Sequence, residues 1–240
     1  MAFFDAVSGE IVARIVYDGL GTAGKTTNVR MLHDAFASRA TSAIVAPEVS
    51  PTGRTLYFDW LELLAGHLDD QPLRCQIVTV PGQFVYGGRR YQLLREIDGV
   101  VLVCDSTPHG AEAARIAAAF LTSALESSGN REAPIVVQAN KQDLPNALSP
   151  EQVAAHVGID AAAVVGASAR TGDGVRLTLL RILDLARGRI RSQCAGRGPE
   201  VLPPRTQTAE QLYEELRTME HEGPSEAAAA ALDRALAQLK

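Results

Sequence analysis

Gly19, Gly24, Lys25 and Thr26 stand at the spacing G-x-x-x-x-G-K-[ST], between the apolar run EIVARIVYD (10–18) and the helix-patterned stretch NVRMLHDAF (28–36). In a strand–turn–helix setting the glycines let backbone N–H groups converge on phosphate oxygens, and the positive end of the helix reinforces them. The lysine can reach β- and γ-phosphates, and the threonine hydroxyl can ligate Mg2+. Gly19, Gly21, Thr22, Ala23, Gly24, Lys25, Thr26 and Thr27 are therefore the candidate phosphate contacts. Among them Lys25 is also a candidate for catalytic charge stabilisation, and Thr26 for holding the metal.

A second cluster bears on the base. NKQD (140–143) follows the apolar run IVVQA (135–139). A carboxylate at Asp143 can accept from both the ring N–H and the exocyclic amine of guanine, a donor pair that adenine lacks. A site whose polar groups go unpaired with the wrong ligand rejects it by about 10⁴–10⁵ in favourable cases. Lys141 would lay its aliphatic stem along the base, and Asn140 would tie this loop to the phosphate loop. ASAR (167–170) would add a contact through backbone N–H groups around Ser168 and Ala169. Alone, N-K-x-D at a strand end is a common polar turn; its weight comes from following a phosphate loop in this order. The ligand read from these residues is GTP or GDP, with Mg2+ as cofactor.

These clusters need elements to position them. EIVARIVYD (10–18), TLYFDWLEL (55–63), RCQIVTV (74–80), VVLVC (100–104), IVVQAN (135–140) and AAVVGAS (162–168) read as six strands. The near-continuous apolar runs among them suit strands covered on both faces. Helical spacing appears at Val29, Leu32 and Phe36, at Ile116 and Phe120, and at Leu179, Leu183 and Ala186. SPEQV (149–153) gives a helix start, with Ser149 as cap, Pro150 at the first helical position and Gln152 placed to close a capping box. Such alternation predicts an α/β fold, a mostly parallel six-stranded sheet with helices on both faces.

Composition narrows the class further. A net charge of -5 with 46% hydrophobic and 21% charged residues gives no reason to expect a nucleic-acid partner. Cys75, Cys104 and Cys194 are too scattered for a disulfide framework and suit packed free thiols in a reducing compartment. MAFFDAVSGE lacks the basic and apolar regions of a signal peptide. No run approaches the ~20 apolar residues that cross a bilayer. The expectation is a cytoplasmic protein without a transmembrane segment, with peripheral membrane contact left open.

The strand–helix pattern ends near Arg191. Residues 1–191 read as one domain, SQCAGRGPEVLPPRTQT (192–208) as a linker, and 209–240 as a C-terminal amphipathic helical extension. In the extension Thr208 and Gln211 can cap a helix bearing Leu212, Leu216 and Met219, and a second stripe carries Leu232, Leu236 and Leu239. Two such short helices make no core alone, so they dock on the domain, dock on a partner, or fray. The acidic stretch 210–226 has the option of folding back on Arg187, Arg189, Arg191 and Arg197, which otherwise read as a solvated helix end.

With GLGTAGKTT, TVPGQ, NKQD and ASAR in this order, residues ~10 to ~190 resemble the small Ras-like GTPases. GRTLYFDW, TVPGQFVY and NKQDLPNAL are similar in particular to the bacterial MglA-type GTPases, which act as cell-polarity and motility switches. The resemblance implies a P-loop NTPase (small G-protein) fold and hydrolysis of GTP to GDP. It assigns Gln83 to orienting the attacking water, Gly82 to binding GTP, Thr55 to sensing the γ-phosphate and the metal, and Arg54 to an arginine finger supplied in cis. It also implies a Roadblock/LC7-type GTPase-activating dimer as partner, with effectors unknown. Residues ~46–60 and ~82–92 would be the two switch loops, the second exposing Phe84, Tyr86, Arg89 and Arg90 to a partner. Thr79 departs from the wider Ras-like pattern, which has a carboxylate there for a Mg2+-bound water, and this implies weaker metal retention and slow intrinsic turnover. Two other classes stand beside this reading. One is a GTP/GDP-binding scaffold that barely hydrolyses and uses its C-terminal helices for partners. The other is a P-loop kinase, which NKQD and ASAR argue against.

Overall fold

Two apolar strands, β5 (Gly99–Asp105) and β6 (Ile135–Asn140), pair in parallel, Leu102 opposite Val137, and β2 (Glu10–Asp18) lies parallel on the other side of β5 with Val16 opposite Val100. The computed structural model describes residues 2–46, 57–80, 87–204 and 207–222. Around that centre the sheet runs β3 (Trp60–Leu68), β4 (Gln71–Thr79), β2, β5, β6, β7 (Val164–Gly166). Only the β3–β4 hairpin breaks the parallel order along this path.

Alternation along β2 divides the core in two. Ile11, Ala13, Ile15 and Tyr17 face α1 (Lys25–Ala35) and α5 (Val175–Cys194), meeting Val29, Leu32, Leu179 and Ile182. Val16 faces the other way with Val78, Val100 and Leu102, under α2 (Gly87–Arg95), α3 (Pro108–Ser127) and α4 (Pro150–Val157). Both faces of the central strands are thus dry, which is why their sequences show little polar alternation. α4 begins as its residues dictate. Gln152 N–H donates to Ser149 Oγ at 3.3 Å, Ser149 N–H donates to Gln152 Oε1 at 2.8 Å, and Gly158 closes the helix at φ +70°. Cys75 and Cys104 are free and buried, and burial pushes the Cys104 thiol up to about 12.

A seventh strand joins the six read from sequence. β1 (Phe3–Asp5) pairs antiparallel with Glu10–Val12, along the part of β2 that β5 does not reach. Three residues carry no readable period, so only the free edge of β2 selects this strand. Asp98 marks where the neighbour changes: its fully buried carboxylate accepts Ala2 N–H at 2.5 Å and Arg14 N–H at 2.8 Å. β3 starts at Trp60, later than the run 55–63 suggests, and residues 55–56 lie outside the described residues. Of the stretch 82–92 read as a switch loop, residues from Gly87 onward form α2.

The described residues of the segment 192–208 run along the domain. α5 continues to Cys194, Pro199–Val201 make a 3-10 turn, and Phe4 N–H donates to Pro203 O at 3.2 Å beside β1. This path carries the chain from the α5 face, where Leu202 is buried, to the opposite face, where α6 (Ala209–Glu222) lies. α6 starts on a reciprocal cap: Thr208 N–H donates to Gln211 Oε1 at 2.9 Å and Gln211 N–H to Thr208 Oγ1 at 3.3 Å. Leu212 and Leu216 are buried against the core, each worth about 2 kcal/mol relative to exposure. The described part of the acidic stretch, 210–218, therefore does not fold onto the arginine cluster, which is on the far side of the sheet. There Arg191 pairs with Asp69 at 2.9 Å, while Arg187 and Arg189 reach the carbonyls of Ala65 and Ile97. The second amphipathic stripe, with Leu232, Leu236 and Leu239, lies outside the described residues.

Replacing Asp98 by Ala leaves two buried N–H groups without their acceptor, at about 1–3 kcal/mol each. The Asp98→Ala protein should show a clearly lower urea midpoint at an unchanged m-value, read by far-UV circular dichroism.

Candidate functional site

β2 ends at Asp18 and α1 begins at Lys25; between them the chain folds into a loop at the carboxyl end of the sheet. Two glycines are fixed by close approach as well as by backbone angle. Gly19 has φ +139°, and a Cβ there would sit 2.3 Å from Val103 O. Gly24 has φ +105°, and its Cβ would sit 2.3 Å from Asn140 Nδ2. Gly21, Thr22 and Thr27 are exposed, Thr22 at a left-handed φ of +67°, whereas Ala23 is buried. Lys25 folds over the loop and donates to Gly19 O and Leu20 O, both at 2.8 Å. Burial pulls its pKa down to about 8 and Arg90 pushes the same way, against the carboxylates of Asp18 and Asp59. A polyanion set against this ammonium would raise that value again.

Asn140, at the end of β6, joins this loop to the 167–170 loop. Its Nδ2 donates to Ala23 O at 2.7 Å and its Oδ1 accepts Ala169 N–H at 2.8 Å. Lys141, at φ +70°, pairs with Asp105 at 2.6 Å. The Asp143 carboxylate accepts Ser168 Oγ at 2.6 Å and Arg170 Nε at 2.9 Å, and the Ser168 hydroxyl, foremost, holds its pKa below the usual carboxylate value. One reading needs correction here. The N–H groups of Ser168 and Ala169 are engaged within the protein, by Asp173 O and Asn140 Oδ1, while the Ser168 hydroxyl bonds Asp143 and Ala169 packs beside Gly24.

Two carboxylates that sequence reasoning passed over complete the loop's surroundings. Asp59, just before β3, accepts Thr26 Oγ1 at 2.6 Å and Thr79 Oγ1 at 2.9 Å, and it is almost fully buried. Thr79 Oγ1 in turn accepts Asp59 N–H at 2.8 Å. The signal was the antiparallel register, which sets Trp60 against Val78 and therefore Asp59 against Thr79. Asp18, the last residue of β2, accepts Gly19 N–H at 2.7 Å and pairs with Arg90 of α2 at 2.8 Å. Arg90 was read as an exposed partner contact; it is buried, stacked 4.3 Å over the Phe120 ring, because Asp18 and that ring offer it a charge and a face.

Among the described residues no group of three or more His, Cys, Asp or Glu side chains could hold a metal. Thr26 with Asp59 is a hard-oxygen set of the kind that suits Mg2+, an ion that keeps several waters and takes further oxygens from phosphates. Arg54, Thr55, Gly82 and Gln83 lie outside the described residues, as do Phe84 and Tyr86. No described helix is long and apolar enough to cross a membrane.

A phosphate-type loop between β2 and α1, with an N-K-x-D strand end packed against it, on a seven-stranded mostly parallel sheet, defines a small G protein of the P-loop class. The ADP-ribosylation factor family model matches residues 67–185. The mutual gliding-motility protein MglA of Myxococcus xanthus (strain DK1622) is 35% identical over 187 residues, which is 77% of this chain and 95% of that protein. The chain belongs to the MglA-type small GTPases, a Ras-like family of GTP-binding hydrolases.

Asn140→Ala strands the Ala169 N–H and Ala23 O in the interior and uncouples the two loops. Its thermal midpoint without added nucleotide should fall by several degrees, corresponding to about 2–3 kcal/mol. Scanning fluorimetry beside the parent chain measures this.

Proposed function

We propose that this protein is a molecular switch that binds GTP with Mg2+, hydrolyses it slowly to GDP, and is accelerated by a Roadblock/LC7-type activator dimer. By analogy with the gliding-motility protein it resembles, the process controlled is cell polarity or motility. One observation supports this most: Asn140, at the start of the loop carrying Asp143, bonds the phosphate-type loop to the loop carrying Ser168 and Ala169, and the Ser168 hydroxyl holds Asp143. A polyphosphate reader and a guanine reader thereby share one rigid end of the sheet.

In this reading the N–H groups of the 19–27 loop and the Lys25 ammonium neutralise the phosphate chain, and Asp143 accepts from guanine. Lys141 covers the base. Mg2+ would be held by Thr26 and Thr55, and it would neutralise charge between the β- and γ-phosphates. Asp59 supplies from the neighbouring strand the carboxylate that Thr79 lacks, held in place by the Thr79 hydroxyl. Gln83 orients the water that attacks the γ-phosphorus, and Arg54 meets the charge that develops; a finger of this kind contributes about 10³–10⁵ in rate. The roles of Arg54, Thr55, Gly82 and Gln83 rest on family resemblance alone. A cytoplasmic location belongs to the same proposal, as does the division at 191.

A fluorescent guanine nucleotide bound in the presence of Mg2+ should be displaced by GDP and not by ADP; displacement by ADP would refute the guanine assignment. In single-turnover assays with a Roadblock-fold dimer, Arg54→Ala should lose about 10³-fold or more of the stimulated rate while retaining GTP affinity. A chain that the dimer never stimulates would instead be a nucleotide-binding scaffold. Asp59→Asn should raise the Mg2+ concentration needed for half-maximal retention of nucleotide by about 10–100-fold, as expected for a residue that orients a metal ligand. An unchanged Mg2+ requirement would remove Asp59 from that role.

A further inference from the structure

The segment 207–222 is a part of the chain that the proposed switch does not use. α6 lies on the sheet face that carries α2. Its Ala209, Leu212 and Leu216 share a buried cluster with Tyr57, Phe58 and Trp60 at the entry to β3 and with Tyr91 and Leu94 of α2. The Tyr213 ring stands edge-on to the Tyr57 ring, centroids 4.8 Å apart at 70°. Tyr57 lies near the end of the stretch 46–60 and α2 begins within the stretch 82–92, the two segments assigned to the switches. One helix therefore touches the exit of both.

A polar lock holds the near end of this helix. Arg14, buried in β2 and stacked 5.5 Å from the Trp60 ring, donates to Gln207 Oε1 at 2.5 Å and to Gln76 Oε1 at 2.9 Å. Gln76 Nε2 donates to Gln207 O at 3.2 Å, and Gln207 Nε2 donates to both Glu215 oxygens at 2.9 Å. The network spans β2, β4, the approach to α6 and α6 itself. It fixes the register in which Leu212, Tyr213 and Leu216 reach the switch exits.

We infer that residues 207–222 are an intramolecular clamp on the surface between the two switches, and that docking of α6 favours the GDP form over the GTP form. The inference rests on the switch reading above. A γ-phosphate draws switch segments inward, and Tyr57, held under Tyr213, limits how far residues 47–56 can follow. A helix of this length has little stability by itself, so its docking is a weak equilibrium that a modest bias moves. By linkage, whatever loosens α6 must raise the preference for GTP by the same factor that GTP loosens α6. The groove under α6, lined by Tyr57, Trp60 and Tyr91, is covered in cis while the clamp is shut.

The test uses the full chain with Tyr213→Ala, which removes one ring at the surface of the contact, and Leu216→Ser, which weakens the buried stripe. Thr218→Ala on the exposed side is the control. Affinities for fluorescent GDP and for a fluorescent non-hydrolysable GTP analogue give the preference ratio, and amide hydrogen exchange reports residues 209–216 in each nucleotide form. Both variants should shift the ratio toward the triphosphate by about fivefold or more, the control should not, and α6 amides should exchange about tenfold faster in the triphosphate form. Equal ratios in the variants and the parent, or equal exchange in the two forms, would overturn the clamp while leaving nucleotide binding intact. Failure of the parent chain to hold either guanine nucleotide would overturn the switch reading itself, and the clamp with it.

Discussion

The Asn140 carboxamide is the junction from which the site is assembled. It is buried, donates to Ala23 O and accepts from Ala169 N–H, so a single planar group sets the separation of two loops that belong to different crossovers. Gly24 makes this possible, since any side chain there would collide with the amide. Satisfied on both sides in a dry environment, such a group is rigid, and leaving either partner unpaired is costly. The two loops are thereby held at a fixed spacing by the protein's own bonds.

Charge around the phosphate-type loop is arranged with similar economy. Lys25, Asp18, Asp59 and Arg90 are all nearly excluded from water. Burial lowers the pKa of Lys25 to about 8 although two carboxylates oppose the shift. The Asp18–Arg90 pair anchors α2 to the base of the loop. Removing one partner of such a buried pair costs about 3–5 kcal/mol, because the other is left uncompensated. Asp59 shows that a carboxylate can reach the same place from an adjacent strand when the usual position holds threonine, provided the hairpin register sets the two residues opposite each other.

The C-terminal extension completes a face of the sheet that would otherwise put Arg14, Gln76, Trp60 and Tyr57 toward solvent. The path from α5 past β1 and around to α6 accounts for two features that look unrelated. β1 exists because β2 has an unpaired edge below Gly99, and the passing segment at Pro203 then pairs on β1. Asp98 and Gln207 satisfy the backbone and guanidinium groups that this rearrangement buries.

Local chemistry made much of this protein legible. Phosphate-loop glycines, the N-K-x-D turn, the apolar runs of β2, β5 and β6, and the caps at Ser149 and Thr208 each encode their conformation within a few residues, because steric allowance, hydrogen-bonding reach and apolar period are short-range properties. The face to which α6 returns, the seventh strand, the burial of Arg90, the engagement of the Ser168 and Ala169 amides, and the meeting of Asp59 with Thr26 had no such code. Each depends on groups brought together from distant parts of the chain, where register and the demand to pair buried polar atoms choose among partners that a sequence leaves equally available. The amino-acid order thus set which chemistry the chain carries and roughly which strands present it. Only the packed sheet decided which carboxylate stands beside Thr26 and which helix covers Tyr57 and α2, since both are outcomes of long-range burial.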